Sequence, residues 1–322
     1  MQVRWGLAAL PGVLADLSLN RPFLVASDRW RQEDLPIEFV GAWRGVPSDR
    51  IGAAAEAAGD ADVLVPVGGG SAIDLAKAIS AETRLPVVSV PTTYSGSEWA
   101  PWFGIRDPER RAKGGGGGAH LAGIVYEPAL TLGLPRGESV GSALNALAHT
   151  AEALYVNRGN ADAEREALAG AALISDALPR VVESPESLDA RTRLLEGAMH
   201  AGVALGSAGM GLAHAMAQAL GGRYGLPHGA MNAISLPPGL RFNESVAAVE
   251  IARFGEAMGA DDPIGHVRKL AALGGFRRLR DFDVPETELA EVAEAAAKRP
   301  AARANPRPAS PAEIEELLRS VY

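Results

Sequence analysis

The stretch VLVPVGGGSAIDLAK, residues 63–77, joins an uninterrupted apolar run to a segment whose apolar residues recur at helical spacing. The run Val63–Val67 predicts a strand buried on both faces, and Ser71–Ser80 predicts the helix that follows it. The glycines between them predict a tight turn whose backbone N–H groups can approach a phosphate at the helix N-terminus. A turn without a ligand is the alternative, because the segment is neither a G-x-G-x-x-G fingerprint nor a P-loop.

The same alternation of strand and helix extends through the first 135 residues. A further helix is predicted over Asp49–Ala58, and the remaining strands are predicted at Pro22–Ala26, Ile37–Val40, Val87–Val90 and Gly123–Tyr126. This order predicts an α/β domain over residues 1–135, with a parallel sheet covered on both faces. Ligands of such sheets bind at the carboxyl ends of the strands, where the strand order reverses.

After Pro135 the pattern becomes helical, which predicts an all-α domain over residues 136–322. The predicted helices are Ser139–Tyr155, Ala161–Val182, Ser187–Gly206, Gly209–Gly222, His228–Phe242, Val246–Met258, Pro263–Leu273 and Glu286–Lys298. The last helix begins at Ser310, where Glu313 completes a capping box. Arg299–Pro308 is predicted to be an extended connector.

The composition limits the classes of function. The 322 residues are 47% apolar and carry a net charge of −8, which predicts a folded protein that does not bind nucleic acid. Cysteine is absent, so disulfides, thiolate metal sites and a cysteine nucleophile are excluded. Ala201–Gly222 has no charged residue, but its alanines, glycines, His214 and Gln218 predict a helix buried in protein rather than a membrane span. The N-terminal sequence lacks a signal-peptide pattern, and we expect a cytoplasmic protein.

Two more segments follow predicted strands and carry polar groups. Pro91–Glu98 (PTTYSGSE) supplies hydroxyl groups and a glycine suited to a nucleotide, with Thr92, Thr93, Tyr94 and Ser97 as candidates. Asp28 follows the strand at Pro22–Ala26, where an acid can accept hydrogen bonds from an adenosine ribose and would repel a 2′-phosphate. The alternative for the first segment is a polar loop that caps a helix. Asp74 is a further cofactor candidate, with an ordinary surface pair to Lys77 as its alternative.

A third constellation consists of histidines and an amide in the helical half. Asn145 and His149 are four residues apart and therefore share a helix face. His214 lies in the charge-free helix, and His228 follows fourteen residues later. Together these nitrogen and oxygen donors could hold a divalent metal ion. The alternative is that each histidine is a hydrogen-bonded residue of the core.

The run Gly114–Gly118 follows a cluster of basic residues that ends at Lys113. We favour a flexible surface loop. The alternative is a mobile flap that brings Lys113 over an anionic substrate.

Five segments together resemble the iron-containing alcohol dehydrogenase superfamily, which includes dehydroquinate synthase and glycerol dehydrogenase. They are GGGSAIDLAK (68–77), PTTYSGSE (91–98), NALAHTAEALY (145–155), HAMAQALGGRYGLPHG (214–229) and ANPRPASPAEIEELL (304–318). The resemblance implies a dehydroquinate synthase-like fold, with an N-terminal Rossmann-like domain, a C-terminal helical domain and a cleft between them.

Within the superfamily the chain most resembles the maleylacetate reductases. Only Tyr94 and Ser95 separate PTT from GSE, whereas metal-dependent members have three residues there, and Asn145 stands where those members have aspartate. The resemblance implies that Gly69, Gly70 and Ser71 cradle the pyrophosphate of NAD(H), that Thr92, Thr93 and Ser97 line the nicotinamide nucleotide, and that Asp28 lies by the ribose and favours NADH.

The resemblance also implies hydride transfer from NADH to a small oxo or enol carboxylate. Asn145, His149, His214 and His228 would polarise its oxygen and relay a proton, because Gln218 replaces a further histidine. With a neutral amide at 145, Fe²⁺ or Zn²⁺ on His149, His214 and His228 would be weakly bound or absent. Lys113, Arg106, Arg223 and Gln218 are the candidates for contacting substrate, and a homodimer is implied. The alternatives are a metal-dependent alcohol or aldehyde dehydrogenase and a catalytically silent nucleotide-binding module.

Overall fold

The computed structural model describes residues 1–156 and 160–322, which form two compact units. Unit 1 consists of Met1–Thr93, Ser97–Asp107 and Gly114–Gly133, and unit 2 consists of Tyr94–Gly96, Pro108–Lys113 and Leu134–Tyr322.

Unit 1 is built on a parallel sheet. Its strands are β1 (Gln2–Trp5), β2 (Pro22–Val25), β3 (Gly41–Trp43), β4 (Val63–Gly68), β5 (Pro86–Pro91) and β8 (His120–Tyr126), in the order β1-β8-β5-β4-β2-β3. The helices are α1 (Leu10–Asp16), α2 (Ile51–Ala58) and α3 (Gly70–Thr83). A separate two-stranded sheet joins β6 (Phe103–Asp107) to β7 (Ala112–Gly116).

Alternating side chains of the central strands face two different cores. Val63, Val65 and Val67 of β4 pack into one apolar cluster with α1, whereas Leu64 packs into another with α2 and α3. Val63, Leu64, Val65 and Val67 have no solvent-accessible surface, and Pro66 between them is also buried. The prediction of a strand buried on both faces is therefore confirmed, as is the parallel α/β fold.

One predicted strand is wrong. Ile37–Val40 is irregular, and the strand beside β2 is Gly41–Trp43. The apolar pattern does not mark a strand here, because Val40 is 50% exposed. The strand instead begins at Gly41, which pairs with Phe23 of β2; a Cβ at Gly41 would lie only 3.0 Å from the Phe23 ring.

The glycine run is not a flexible loop, so that prediction is also wrong. Its first three residues belong to β7 and pair with β6. A Cβ at Gly115 would lie 2.7 Å from the carbonyl oxygen of Phe103, and a Cβ at Gly116 would lie 2.7 Å from the Phe103 ring. The glycines therefore allow close strand packing that a side chain would prevent.

Unit 2 is helical, as predicted. Its helices are α4 (Arg136–Val156), α5 (Ala161–Glu183), α6 (Leu188–Ala208), α7 (Leu212–Tyr224), α8 (His228–Ala257), α9 (Pro263–Leu273), α10 (Leu289–Ala297), α11 (Pro300–Ala304) and α12 (Pro311–Arg319). The helices predicted at His228–Phe242 and Val246–Met258 are the two parts of α8, which meet at a kink where Ala247 has a non-helical φ of −139° and ψ of 31°. The connector Arg299–Pro308 is not wholly extended, because it contains α11, which begins at Pro300 in a position that favours helix initiation.

Two further predictions for unit 2 are confirmed, the capping box and the helical charge-free segment. The capping box of Ser310 and Glu313 begins α12. The charge-free segment Ala201–Gly222 forms the end of α6 and most of α7. Across the described residues, we find no helix with both the length and the apolar character that a membrane crossing requires.

Candidate active site

Three helices of unit 2 bring the four predicted catalytic side chains together. Asn145 and His149 lie one turn apart on α4, His214 lies in the first turn of α7, and His228 is the first residue of α8. The rings of His149 and His214 are stacked, with centroids 4.3 Å apart, and the rings of His214 and His228 have centroids 6.1 Å apart. We call these four residues the histidine cluster.

A close crossing of two helices makes the histidine cluster possible. A Cβ at Gly229 of α8 would lie 2.4 Å from the carbonyl carbon of Gly141 of α4, so the two backbones meet where neither carries a side chain. One turn further along each helix, Asn232 Nδ2 donates to Asn145 Oδ1 at 2.7 Å. The glycine contact therefore sets the distance between the two amides.

A chain of amide hydrogen bonds fixes the tautomers of two histidines. Asn145 Nδ2 lies 2.9 Å from the carbonyl oxygen of Ser95, which can only accept, so this atom is the donor nitrogen. It also donates to His149 Nε2 at 3.1 Å, and its Oδ1 accepts from Asn232. Asn232 Nδ2 in turn donates to His228 Nε2 at 3.2 Å. Because both Nε2 atoms accept, the proton of each ring lies on Nδ1.

His214 has a different partner, the buried carboxylate of Glu152. Its Nδ1 lies 2.6 Å from Glu152 Oε2, and both side chains are completely buried. Glu152 also accepts from the backbone N–H groups of Gly211 at 2.7 Å and of His214 itself at 3.3 Å. His214 Nε2 is buried and has no hydrogen-bond partner among the described residues. The described residues therefore leave this nitrogen unsatisfied.

A lysine lies close enough to influence the cluster. Burial of the ring is the main cause that holds the pKa of His228 well below its ordinary value, and the positive charge of Lys113 is the next. The backbone of Lys113 is anchored on unit 2, because Arg299 Nη1 donates to its carbonyl oxygen at 2.7 Å. A Cβ at Gly222 would lie 2.6 Å from Lys113 N, so this glycine of α7 lets the segment dock.

The other predicted substrate contacts are placed differently. The guanidinium of Arg223 donates to Glu288 at 2.7 Å and also pairs with Glu291, so its charge is compensated within unit 2. Gln218 Nε2 faces Met210 Sδ at 3.7 Å. Arg106 lies in β6 and belongs to unit 1.

In unit 1, three predicted cofactor segments follow three neighbouring strands. Asp28 follows β2, Gly69 and Gly70 follow β4, and Thr92 and Thr93 follow β5. The connection β2 to β3 runs toward one edge of the sheet and β4 to β5 toward the other, so the strand order reverses here. A Cβ at Gly69 would lie 2.7 Å from Thr93 Cγ2, so the glycine turn and the threonine loop form one surface. Gly69 is the N-cap residue of α3 and makes no side-chain capping bond. Ser71 lies in the first turn of α3 and is exposed.

Two of the predicted cofactor residues are engaged within this loop. Asp74 accepts from Ser97 Oγ at 2.5 Å and pairs with Lys77 at 2.8 Å. The surface-pair alternative is wrong, because the Lys77 side chain is only 1% exposed and also donates to the Trp102 carbonyl oxygen at 2.6 Å. Asp74 therefore shapes the loop that carries Ser97.

Tyr94 lies elsewhere, in the interior of unit 2. It is completely buried, and its hydroxyl accepts from Arg191 Nη1 at 3.1 Å. A ring enclosed in this way is not accessible to a cofactor.

Two residues that hydrogen-bond to the cluster were not predicted from the sequence, Glu152 and Asn232. Both carried a usable signal, since Glu152 follows His149 by three residues and Asn232 follows His228 by four, which puts each on the same helix face. An acid on the apolar face of a helix needs a partner when it is buried. This requirement could have singled out Glu152.

A parallel α/β unit with a glycine turn at its switch point, together with a helical unit that carries a buried histidine cluster, is typical of nucleotide-dependent oxidoreductases. The comparison with family models identifies the class more closely. The model described as iron-containing alcohol dehydrogenase matches residues 7–122, and the model of the C-terminal part of that family matches residues 139–322. The chain belongs to the iron-containing alcohol dehydrogenase family and is an oxidoreductase.

Curated relatives and solved structures agree with this assignment. Maleylacetate reductase of Burkholderia cepacia is 37% identical over 289 residues, which cover 89% of this chain and 79% of that protein. Maleylacetate reductase 1 of Cupriavidus pinatubonensis is 34% identical over an alignment that covers 98% of this chain and 92% of that protein. The crystal structure of maleylacetate reductase from Rhizobium sp. strain MTP-10005 aligns with a TM-score of 0.87 at 31% identity, over 100% of this chain and 95% of that chain.

The family name implies iron, and the donors of the cluster can be tested against it. A metal ion needs several lone pairs that point to one place. Here the Nε2 atoms of His149 and His228 accept from amide groups, and Asn145 supplies no negative charge. Within residues 1–156 and 160–322, no group of three or more His, Cys, Asp or Glu side chains could hold a metal ion. This arrangement does not fit a metal held by His149, His214 and His228.

Proposed function

We propose that the protein is an NADH-dependent reductase of maleylacetate or of a closely similar oxo dicarboxylate. The observation that carries the proposal is the amide-linked histidine cluster, in which Asn145 replaces a charged metal ligand. The similarity to maleylacetate reductases over most of the chain supports the choice of substrate.

The chemistry follows from the substrate's conjugated carbon–carbon double bond and oxo group. NADH, when bound, supplies a hydride to the carbon β to the oxo group. The electron pair of the double bond then moves toward the oxo oxygen, and a proton must reach the α-carbon. The cluster would hydrogen-bond the developing enolate oxygen and deliver this proton. The product is the saturated oxo dicarboxylate.

Unit 1 would bind NADH at the carboxyl ends of its central strands. The glycine turn offers the backbone N–H groups of Gly69, Gly70 and Ser71 to the pyrophosphate, and a negative charge there is favoured by the dipole of α3. Thr92, Thr93 and Ser97 would line the nicotinamide nucleotide. Asp28 would accept from the adenosine ribose and disfavour the 2′-phosphate of NADPH.

Lys113 would bind one carboxylate of the substrate. Its positive charge lies close enough to His228 to lower the pKa of that ring. We expect Lys113→Met to raise the KM for the dicarboxylate at least tenfold and to leave the KM for NADH unchanged. Lys298→Met is the matched control, because the Lys298 side chain is 76% exposed and pairs with Glu294 on the surface.

The decisive experiment follows NADH oxidation at 340 nm with maleylacetate, a panel of 2-oxo acids and a panel of aldehydes. We expect turnover with maleylacetate that persists after dialysis against a chelator. No turnover with any compound would refute the reductase and favour a silent nucleotide-binding module. Turnover of aldehydes that stops when a stoichiometrically bound metal is removed would favour the metal-dependent dehydrogenase. The homodimer and the cytoplasmic location stay predictions, and sedimentation of the purified protein tests the first.

A further inference from the structure

The three histidines of the cluster are not equivalent, because they face different partners. His149 and His228 each present Nε2 to an amide N–H donor, which would repel a proton on that nitrogen. His214 alone presents Nδ1 to a carboxylate, at 2.6 Å. A ring with an acceptor on one side can hold a proton on both nitrogens, whereas a ring with a donor on one side cannot.

Glu152 is itself held rigidly in place. Its carboxylate accepts from the backbone N–H groups of Gly211 and His214, at the start of α7. A Cβ at Gly211 would lie 3.1 Å from Glu152 Oε1, so a glycine at this position lets the carboxylate reach the end of the helix. The N-terminus of α7 also stabilises a negative charge there.

We propose that Glu152 is a positioning residue that keeps a proton on His214 Nδ1 and thereby makes Nε2 of His214 the nitrogen that exchanges a proton with substrate. His214 Nε2 is buried and has no partner among the described residues, as a reacting nitrogen requires. In the reaction the Nε2–H bond breaks as the substrate carbon or enolate oxygen gains the proton. The carboxylate of Glu152, 2.6 Å from Nδ1, would stabilise the ring at the moment when both of its nitrogens carry a proton. This inference rests on the reductase function proposed above.

The chain contains a matched control for this pair. His200 Nδ1 lies 2.6 Å from Glu166 Oε2, the same distance as in the His214 pair, on α5 and α6. Glu152→Gln and Glu166→Gln therefore each replace a carboxylate by a neutral amide at the same 2.6 Å distance from a histidine Nδ1. Only the first bond belongs to the cluster.

The test combines imidazole NMR with kinetics on the full-length protein. In the wild type we expect His214 to be protonated at Nδ1, with a strongly downfield proton whose signal is absent from His214→Asn. Glu152→Gln moves this signal upfield and lowers kcat on the order of 100-fold, while the KM for NADH stays within about twofold. Glu166→Gln moves only the His200 signal and leaves kcat within about twofold.

Two results would overturn the proposal. One is a wild-type spectrum in which His214 carries its proton on Nε2 alone, and the other is an unchanged kcat in Glu152→Gln. If Glu152→Gln does not fold, the wild-type spectrum decides, since protonation at Nδ1 supports the proposal and protonation only at Nε2 refutes it. Failure of the wild type to turn over maleylacetate would refute the function and leave the spectrum to be judged separately.

Discussion

Replacing Gly229 by alanine tests whether the crossing of α4 and α8 controls the histidine cluster. The new Cβ would lie 2.4 Å from the carbonyl carbon and oxygen of Gly141, whereas ordinary contacts begin at 3.4 Å. The helices must therefore separate by about 1 Å, which in a packed interior costs about 1–3 kcal/mol. The gain in helix propensity offsets less than about 1 kcal/mol of this cost. We expect a net loss of about 1–2 kcal/mol in the free energy of unfolding.

The same separation should impair the reaction. It would stretch the bond from Asn232 to Asn145 from 2.7 Å toward about 3.7 Å, which is no longer a hydrogen bond. We expect kcat to fall at least tenfold, because the orientation of two histidines depends on this amide chain. NADH affinity should stay unchanged, since its proposed binding residues belong to unit 1.

Gly141→Ala is the matched control, because its Cβ would meet Ala230 N at 3.3 Å and needs only a small adjustment. The assay is urea unfolding followed by circular dichroism at 222 nm, which reports mainly on the helices of unit 2. A loss of 1–2 kcal/mol corresponds to a midpoint lower by roughly 0.5–1 M urea. Tryptophan fluorescence reports on unit 1, because Trp5, Trp30, Trp43, Trp99 and Trp102 all belong to it. If Gly229→Ala matches Gly141→Ala in both midpoint and kcat, the crossing does not control the site.

Three further predictions concern charges and caps. Lys77→Met should destabilise unit 1 by about 3–5 kcal/mol, measured by tryptophan fluorescence, because it leaves Asp74 without its buried cation. Burial raises the pKa of Glu98 above its ordinary value of 4.5, so its contribution to stability is present below that value and is lost as pH rises through the raised pKa. Glu98→Gln should therefore show a flatter decline of the unfolding midpoint above pH 4.5 than the wild type does, and equal slopes would contradict the assignment. Ser310→Ala removes the capping box of α12 and should cost about 1 kcal/mol by circular dichroism, with Ser207→Ala on the exposed face of α6 as the control.

The central sheet could be predicted because burial on both faces forces an apolar residue at every position. The run Val63–Val67 satisfies this requirement, and no helical spacing explains it. The edge strands β1 and β3 lack the signal, since their residues are half-buried or exposed and alternate weakly. Their assignment depends on pairing with β8 and β2, which a local pattern does not contain.

The candidate site could be predicted in part for a similar reason. The spacing of Asn145 and His149 places them on one helix face whatever the tertiary structure is. That His228 joins them depends on α8 meeting α4 at a glycine contact between residues distant in sequence, and His214 is brought in by α7, which packs on α8. The sequence also does not reveal that Lys77 is buried, because an i, i+3 acid–base pair is ordinarily found on the surface.

The amide at position 145 explains why the cluster forms a hydrogen-bond network. An aspartate there could accept from Asn232 but could donate neither to Ser95 nor to His149, so two acceptors would face each other at 2.9 Å. A buried arrangement of that kind needs a cation to be stable. Asparagine removes the need, because its two N–H groups satisfy the Ser95 carbonyl and the ring of His149 while its oxygen receives Asn232. The one remaining negative charge in the network is Glu152, and it is directed at His214. Asparagine at 145 thus links the amides into a chain that fixes two rings and leaves the third, His214, against the carboxylate of Glu152.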